Sequence, residues 1–339
     1  MLIKLNKILY DKIKKYKESF QFGKHNENKS KYWANQVDNI KIHFRDPSEI
    51  FLSGKSGVYL PKNKNIINLI KYFMISIYNL IFDYKNSYLN YQKTFNNLKF
   101  SNKNFFQKIQ SQNVKDNFQN INQIKENFFT DKIVNEKIIH SYYFLNVLNT
   151  KIDFNTKKNI CEIGPGNGNL ISIIKKNFKN NKFLIIDLNE TLLVSSIYLS
   201  SLFPDKKFIL PNEIGNKINA NLIDENDFIL LAPNQVELIE PEIIDLTINT
   251  SSFAEMNKEQ IKNYFDLVQK ISKKDSYFFN YNRVEKYPID SLQAENLTKP
   301  NRFHEYPFYN NEIEYFQICE FAKNIQNDPV FLRLEKIIK

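Results

Sequence analysis

Only 7 glycines occur in this 339-residue chain, and three of them alternate within one short segment, Ile160-Cys161-Glu162-Ile163-Gly164-Pro165-Gly166-Asn167-Gly168. The residues before the glycines form an apolar run of the kind that fills a buried parallel strand. Those after them, Asn169-Leu170-Ile171-Ser172-Ile173-Ile174-Lys175-Lys176, carry the pattern of a helix. Glycine lacks a Cβ, so it accepts φ > 0 and lets the backbone approach a ligand closely. A chain this poor in glycine concentrates three of them where the backbone bends tightly against something. Strand, glycine turn and helix in succession constrain the fold to an α/β sheet with a nucleotide-type ligand site at the carboxyl end of a parallel strand.

The spacing narrows the ligand. A dinucleotide fingerprint reads G-x-G-x-x-G and rests a pyrophosphate on the helix N-terminus. Here the third glycine comes one residue early, and Asn169 stands where that fingerprint places Gly or Ala. Glu162, just before the glycines, would repel a pyrophosphate and attract a cationic ligand. Lys182-Phe183-Leu184-Ile185-Ile186 reads as the next strand. It ends at Asp187, about twenty residues past the turn, where such folds place the carboxylate that accepts the ribose hydroxyls. The run E-x-G-x-G-x-G resembles the first motif of class I S-adenosylmethionine (SAM) methyltransferases. The resemblance implies SAM as cofactor, held by Glu162, Gly164, Gly166, Gly168, Asp187 and Leu188.

From about residue 156, strand-like and helical segments alternate, the mark of an α/β sheet with right-handed crossovers. Strands are predicted over 158–163, 182–187, 228–232, 243–249, 275–281, 313–319 and 330–336, with a short one at 206–210. Helices are predicted over 168–178, 189–202 and 257–272. The fold class is therefore α/β, a Rossmann-like class I methyltransferase sheet with helices on both faces, over 156–339. Residues 1–155 contain no such turn and read as a mainly helical region, with helices at 2–19, 64–83, 84–99, 103–126 and 132–149. A loop or hairpin-like connection runs from Phe44 to Pro61. This region reads as a cover for an acceptor or as a contact between copies of the chain.

The net charge is +10, but the lysines are scattered and no Lys/Arg block tracks a phosphate backbone. Nucleic acid is not the expected partner. Cys161 and Cys319 lie in apolar segments and suit buried free thiols in a cytoplasmic, reducing compartment. Met1 to Phe20 reads as an amphipathic helix rather than a signal peptide. Asn68, Lys71 and Asn79 interrupt the apolar run Ile66 to Phe82, which reads as a buried helix rather than a membrane span.

Several further segments resemble the sugar O-methyltransferases of bacterial surface-polysaccharide loci. They are 186–193, Leu231-Ala232-Pro233-Asn234-Gln235-Val236-Glu237-Leu238, and Ile244 through Met256 with its Asn249-Thr250-Ser251-Ser252-Phe253-Ala254-Glu255-Met256. Phe278-Phe279-Asn280-Tyr281-Asn282-Arg283 continues the likeness, and Tyr32-Trp33 and Phe44-Arg45-Asp46-Pro47 are in keeping with it. The resemblance implies methyl transfer from SAM to a hydroxyl of a sugar, on a nucleotide sugar or a glycan precursor.

Such a transfer needs a group that accepts the hydroxyl proton. Glu255, beyond the fourth strand, is the first candidate, although a carboxylate there also suits a helix N-terminus. His304 is the second candidate. Asn234 and Gln235 follow the third strand, where this fold reads an adenine edge. Asn249, Asn282 and Arg283 end the fourth and fifth strands and are candidates for substrate contact, Arg283 through its fork of donors. No Asp closes the fourth strand and no His/carboxylate cluster has ligand spacing, so no metal is expected. A nicotinamide-dependent oxidoreductase and a SAM-fold module that binds without turnover remain the rival readings.

Overall fold

The computed structural model describes residues 2–21, 40–45, 48–53, 136–286, 300–319, 322 and 329–339. The chain opens with strand β1 (Leu2–Lys4) and helix α1 (Lys7–Glu18). The Asn6 side chain caps α1 by accepting from the Leu9 N–H at 2.8 Å. The single helix expected over 2–19 is thus a strand and a shorter helix. Strands β2 (Lys41–Arg45) and β3 (Glu49–Ser53) form a hairpin, and β1 pairs with β3 to give an antiparallel sheet of order β1-β3-β2. The described part of the N-terminal region therefore contains a sheet that its helical pattern did not announce. The helices expected at 64–83, 84–99 and 103–126, the run 66–82 and Tyr32-Trp33 lie outside the described residues. Helix α2 (Glu136–Leu148) falls within the segment expected at 132–149.

The second part is built on one sheet. Its strands are β4 (Asn159–Ile163), β5 (Lys182–Ile186), β6 (Phe208–Ile209), β7 (Phe228–Leu231), β8 (Ile244–Thr250), β9 (Ser272–Arg283), β12 (Glu312–Ile318) and β13 (Val330–Lys336). A separate pair, β10 (Glu285–Lys286) and β11 (Asn301–Arg302), leaves the end of β9. The order across the large sheet is β12-β13-β9-β8-β4-β5-β7-β6. The six strands from β6 to β9 are parallel, and β13 and β12 add antiparallel at one edge.

Parallel strands are buried on both faces and read as continuous apolar runs. Alternate residues of β4, β5 and β7 go to opposite faces: Ile160, Phe183, Ile185, Phe228 and Leu230 to one, Cys161, Leu184, Ile186, Ile229 and Leu231 to the other. Helices α1, α2, α3 (Asn169–Asn177) and α4 (Asn189–Leu202) cover the first face. Helices α5 (Ala220–Glu225) and α6 (Lys258–Ile271) cover the second. The fold is the α/β arrangement with helices on both faces that the alternation predicts. Cys161 and Cys319 are both free and buried. Among the described residues no helix is long and apolar enough to cross a membrane.

The chain leaves β4 to build β5 and β7 on one side, then returns to place β8 on the other. That reversal opens a crevice beyond the carboxyl ends of β4 and β8, where open α/β sheets bind ligands.

Candidate active site

A cavity of about 1000 Å³ occupies that crevice. Its floor is the end of β4 and the glycine turn: Glu162, Gly164, Pro165, Gly166 and Asn167. Asp187 and Leu188 after β5, Asn234 after β7, and Thr250, Ser251, Ser252 and Glu255 after β8 form its rim. Helix α2 contributes His140, Ser141 and Phe144, α6 contributes Gln260, Asn263 and Tyr264, and β9 contributes Tyr281.

All three glycines of the turn have positive φ, +69°, +63° and +87° at Gly164, Gly166 and Gly168. Their surroundings differ. A Cβ on Gly164 would stand 2.3 Å from Ser252 Oγ, so this glycine lets β4 and the turn after β8 touch. A Cβ on Gly166 would meet nothing within 4 Å, because that position faces the cavity. A Cβ on Gly168 would press on Leu199 at 3.3 Å. Gly168 is the residue that starts α3, not a wall of the cavity.

Two carboxylates dominate the floor. Glu162 is 1% exposed, and its Oε2 has no hydrogen-bond partner among the described residues. Burial pushes its pKa up to about 8, with the Asp187 charge adding and a hydrogen bond from Thr250 opposing. Asp187 keeps a view of the cavity. Its Oδ2 accepts from the Gly166 N–H at 3.1 Å and its Oδ1 from the Leu188 N–H at 2.8 Å. Burial lifts it to about 7 against those two hydrogen bonds, with Glu255 pushing the same way as burial. Two buried carboxylates that resist ionisation side by side are suited to receive positive charge or donors.

Glu255 does not lie in the first turn of α6. It ends a 3-10 turn, Phe253–Glu255, and α6 is capped by Asn257 and Gln260 instead. The Lys286 ammonium, 5% exposed, donates to Glu255 Oε1 at 3.2 Å. Ser251 precedes this turn at φ +68°, an uncommon conformation for serine, with its N–H bound to Tyr281 O at 2.7 Å.

Five other expected site residues do not reach the cavity. Gln235 accepts from the Ala232 N–H at 3.0 Å and donates to Pro211 O at 2.9 Å, so its amide closes a turn and is not at an adenine edge. Asn249 and Asn282 are fully buried beneath the floor. Asn249 Nδ2 donates to Ile163 O at 2.9 Å, and Asn282 Nδ2 donates to Asn249 Oδ1 at 2.8 Å. The Ala254 N–H donates to Asn282 Oδ1 at 3.1 Å, which ties the ends of β4, β8 and β9 to the Glu255 turn. His304 is exposed on a separate 3-10 turn, Phe303–Glu305, away from the lining. Arg283 closes β9, partly exposed and also outside the lining. His140, Phe144 and Tyr281 were not among the expected site residues, because their place at the cavity depends on where α2 packs. Among the described residues no cluster of His, Cys, Asp and Glu could hold a metal.

No protein-family model matches this chain, and no curated protein does. Solved structures give distant likenesses. A sarcosine dimethylglycine methyltransferase candidate from Galdieria sulphuraria superposes with a TM-score of 0.42 at 9% identity, over 59% of this chain and 85% of that one. Geranyl diphosphate C-methyltransferase from Streptomyces coelicolor A3(2) gives 0.40 at 8%, over 58% and 78%. A SAM-dependent methyltransferase from Archaeoglobus fulgidus gives 0.37 at 12%, over 60% and 95%. At such scores the ligand and the acceptor have to be read from this chain's own geometry.

Proposed function

We propose that the chain is a SAM-dependent methyltransferase acting on a hydroxyl of a sugar. One observation carries the donor half: a buried Glu162 oxygen lacks a partner among the described residues, behind a turn whose Gly166 faces open space. A cation in that space supplies the missing partner. A pyrophosphate would meet two carboxylates instead, which favours SAM over a nicotinamide dinucleotide.

The residues present fit SAM. Glu162 and the backbone of the glycine turn would hold its cationic amino-acid end, Asp187 its ribose hydroxyls, with Leu188 and Asn234 along the nucleoside. Bound there, SAM supplies a methyl carbon already activated by its sulfonium. The protein's task is then to position an acceptor oxygen in line. The Lys286 ammonium fixes the Glu255 carboxylate at the rim, where it can accept a hydrogen bond from the acceptor hydroxyl. Helix α2 covers the cavity from above, in keeping with an N-terminal region over 1–155 that shields the acceptor from water. The sugar itself rests on the resemblance carried by 249–256.

Calorimetry with SAM and with S-adenosylhomocysteine tests the donor half. Wild-type protein binds both, and Asp187→Ala weakens SAM by about 100-fold, the loss of two charge-assisted hydrogen bonds. Unchanged affinity in that variant removes the ribose assignment. Labelled SAM with a panel of sugars and nucleotide sugars, read by mass spectrometry, tests the acceptor half. Binding without any methyl gain would instead support a non-catalytic module.

A further inference from the structure

Resting on the methyltransferase reading above, we propose that His140 takes the proton from the acceptor hydroxyl. Helix α2 carries His140 and Phe144 one turn apart, on the face that lines the cavity. Their rings lie 6.1 Å apart between centroids. Phe144 then packs on Tyr281, 4.6 Å between centroids, and on Phe279 at 5.6 Å. Tyr281 pairs across the sheet with Thr250, and Thr250 hydrogen-bonds Glu162. A continuous path of contacts thus ties His140 to the carboxyl ends of β8 and β9, beside the glycine turn. His140 is 5% exposed, so solvent does not compete freely for its ring.

The two expected bases are less suited. His304 faces solvent outside the cavity. Glu255 is ion-paired with the buried Lys286 ammonium at 3.2 Å, which fixes the orientation of its carboxylate. Glu255 therefore orients the hydroxyl, and the imidazole removes its proton. In the transfer the acceptor oxygen bonds to the methyl carbon while the sulfur–carbon bond breaks. The sulfur keeps that bonding pair and becomes a neutral thioether. The O–H pair stays on oxygen, and the proton moves to a ring nitrogen of His140, from which it passes to solvent on product release.

The test uses the full chain, tritiated-methyl SAM, and a panel of methyl α-D-glucopyranoside, methyl α-L-rhamnopyranoside, N-acetylglucosamine and UDP-N-acetylglucosamine. The variants are His140→Ala and His140→Gln. Both are expected to bind S-adenosylhomocysteine within twofold of wild type and to lose about 100-fold or more of transfer. Added imidazole is expected to restore transfer to His140→Ala in proportion to its concentration, which a packing role would not allow. The chain has four histidines, so the His140 imidazole resonance can be assigned by difference in histidine-labelled protein. It is expected to shift when the accepting sugar joins protein loaded with S-adenosylhomocysteine. Wild-type rates in both variants, or lost transfer that imidazole does not restore, overturn the role of His140 and leave the methyltransferase reading standing. Wild-type protein that binds SAM and labels no member of the panel overturns the acceptor reading and His140 with it. Failure of wild-type protein to bind SAM overturns the function itself.

Discussion

Replacing Glu162 by Gln should make the protein more stable and less able to bind its donor. The carboxyl titrates near 8 in the fold, against 4.5 for an ordinary glutamate. Between those values the folded state holds a proton that the unfolded chain releases, so stability falls as pH rises from about 4.5 to about 8. At pH 7 the gap spans about 2.5 pH units, and at about 1.4 kcal/mol per unit the ceiling on the penalty is about 3 kcal/mol. Glutamine has the same shape and no charge, so the variant escapes that penalty. Thermal unfolding of ligand-free protein should place the variant's Tm roughly 5 °C above wild type at pH 8, with the two curves converging near pH 5. SAM affinity should move the other way, falling at least tenfold. Calorimetry in buffers of different ionisation enthalpy adds a third reading. Wild type should release protons on binding SAM at pH 7, because a cation drives the neutral carboxyl to ionise, and the variant should release fewer. A variant less stable than wild type at pH 8, with unaltered affinity for SAM, would refute the idea that this carboxylate is held in reserve for a cation.

The two glycines that flank Pro165 should respond differently to alanine. Gly164→Ala forces a Cβ against Ser252 at φ +69° and should cost about 3 kcal/mol in urea unfolding, while Gly166→Ala should cost about 1 kcal/mol yet weaken S-adenosylhomocysteine at least tenfold. Asn282→Leu removes the partner of Asn249 Oδ1, Asn280 Oδ1 and the Ala254 N–H together, so a loss of about 3–5 kcal/mol is expected in the same assay. An unchanged urea midpoint would show that this buried network contributes little. Phe144→Leu loosens α2 from Tyr281 and should lower methyl transfer more than tenfold with SAM affinity intact. Equal losses in both would place Phe144 in general packing.

The proposed donor half of the site could be read from the sequence because it is nearly contiguous. The chemistry of the glycine turn and of Asp187 follows from what a backbone must do between a buried strand and a helix, and no distant partner is needed to see it. Amides were read less well. Asn249 and Asn282 stand at strand ends, where ligands bind, yet each is the other's partner across two strands 33 residues apart. Gln235 sits three residues beyond Ala232 and serves a local turn, a use that the same spacing could have signalled. At the N-terminus, lysine-rich periodicity outweighed a start signal at Asn6, and β1 was absorbed into the helix that follows it. Strand pairing between Leu2–Lys4 and Glu49–Phe51 leaves no local mark on either segment.

The acceptor half has a different origin. His140, Glu255 and Tyr281 come from three elements scattered over more than a hundred residues; the segment around Glu255 marks it as a candidate, whereas nothing next to His140 marks it. His140 and Tyr281 are brought together by the seating of one helix, through Phe144, on the last parallel strand, while Glu255 is held by its own turn and by Lys286. On the proposed reading, donor binding lies in two adjacent turns, whereas the choice of acceptor depends on how a covering helix packs. On that reading, substitutions along α2 should alter which hydroxyl is presented without disturbing the strand ends proposed to hold the methyl donor.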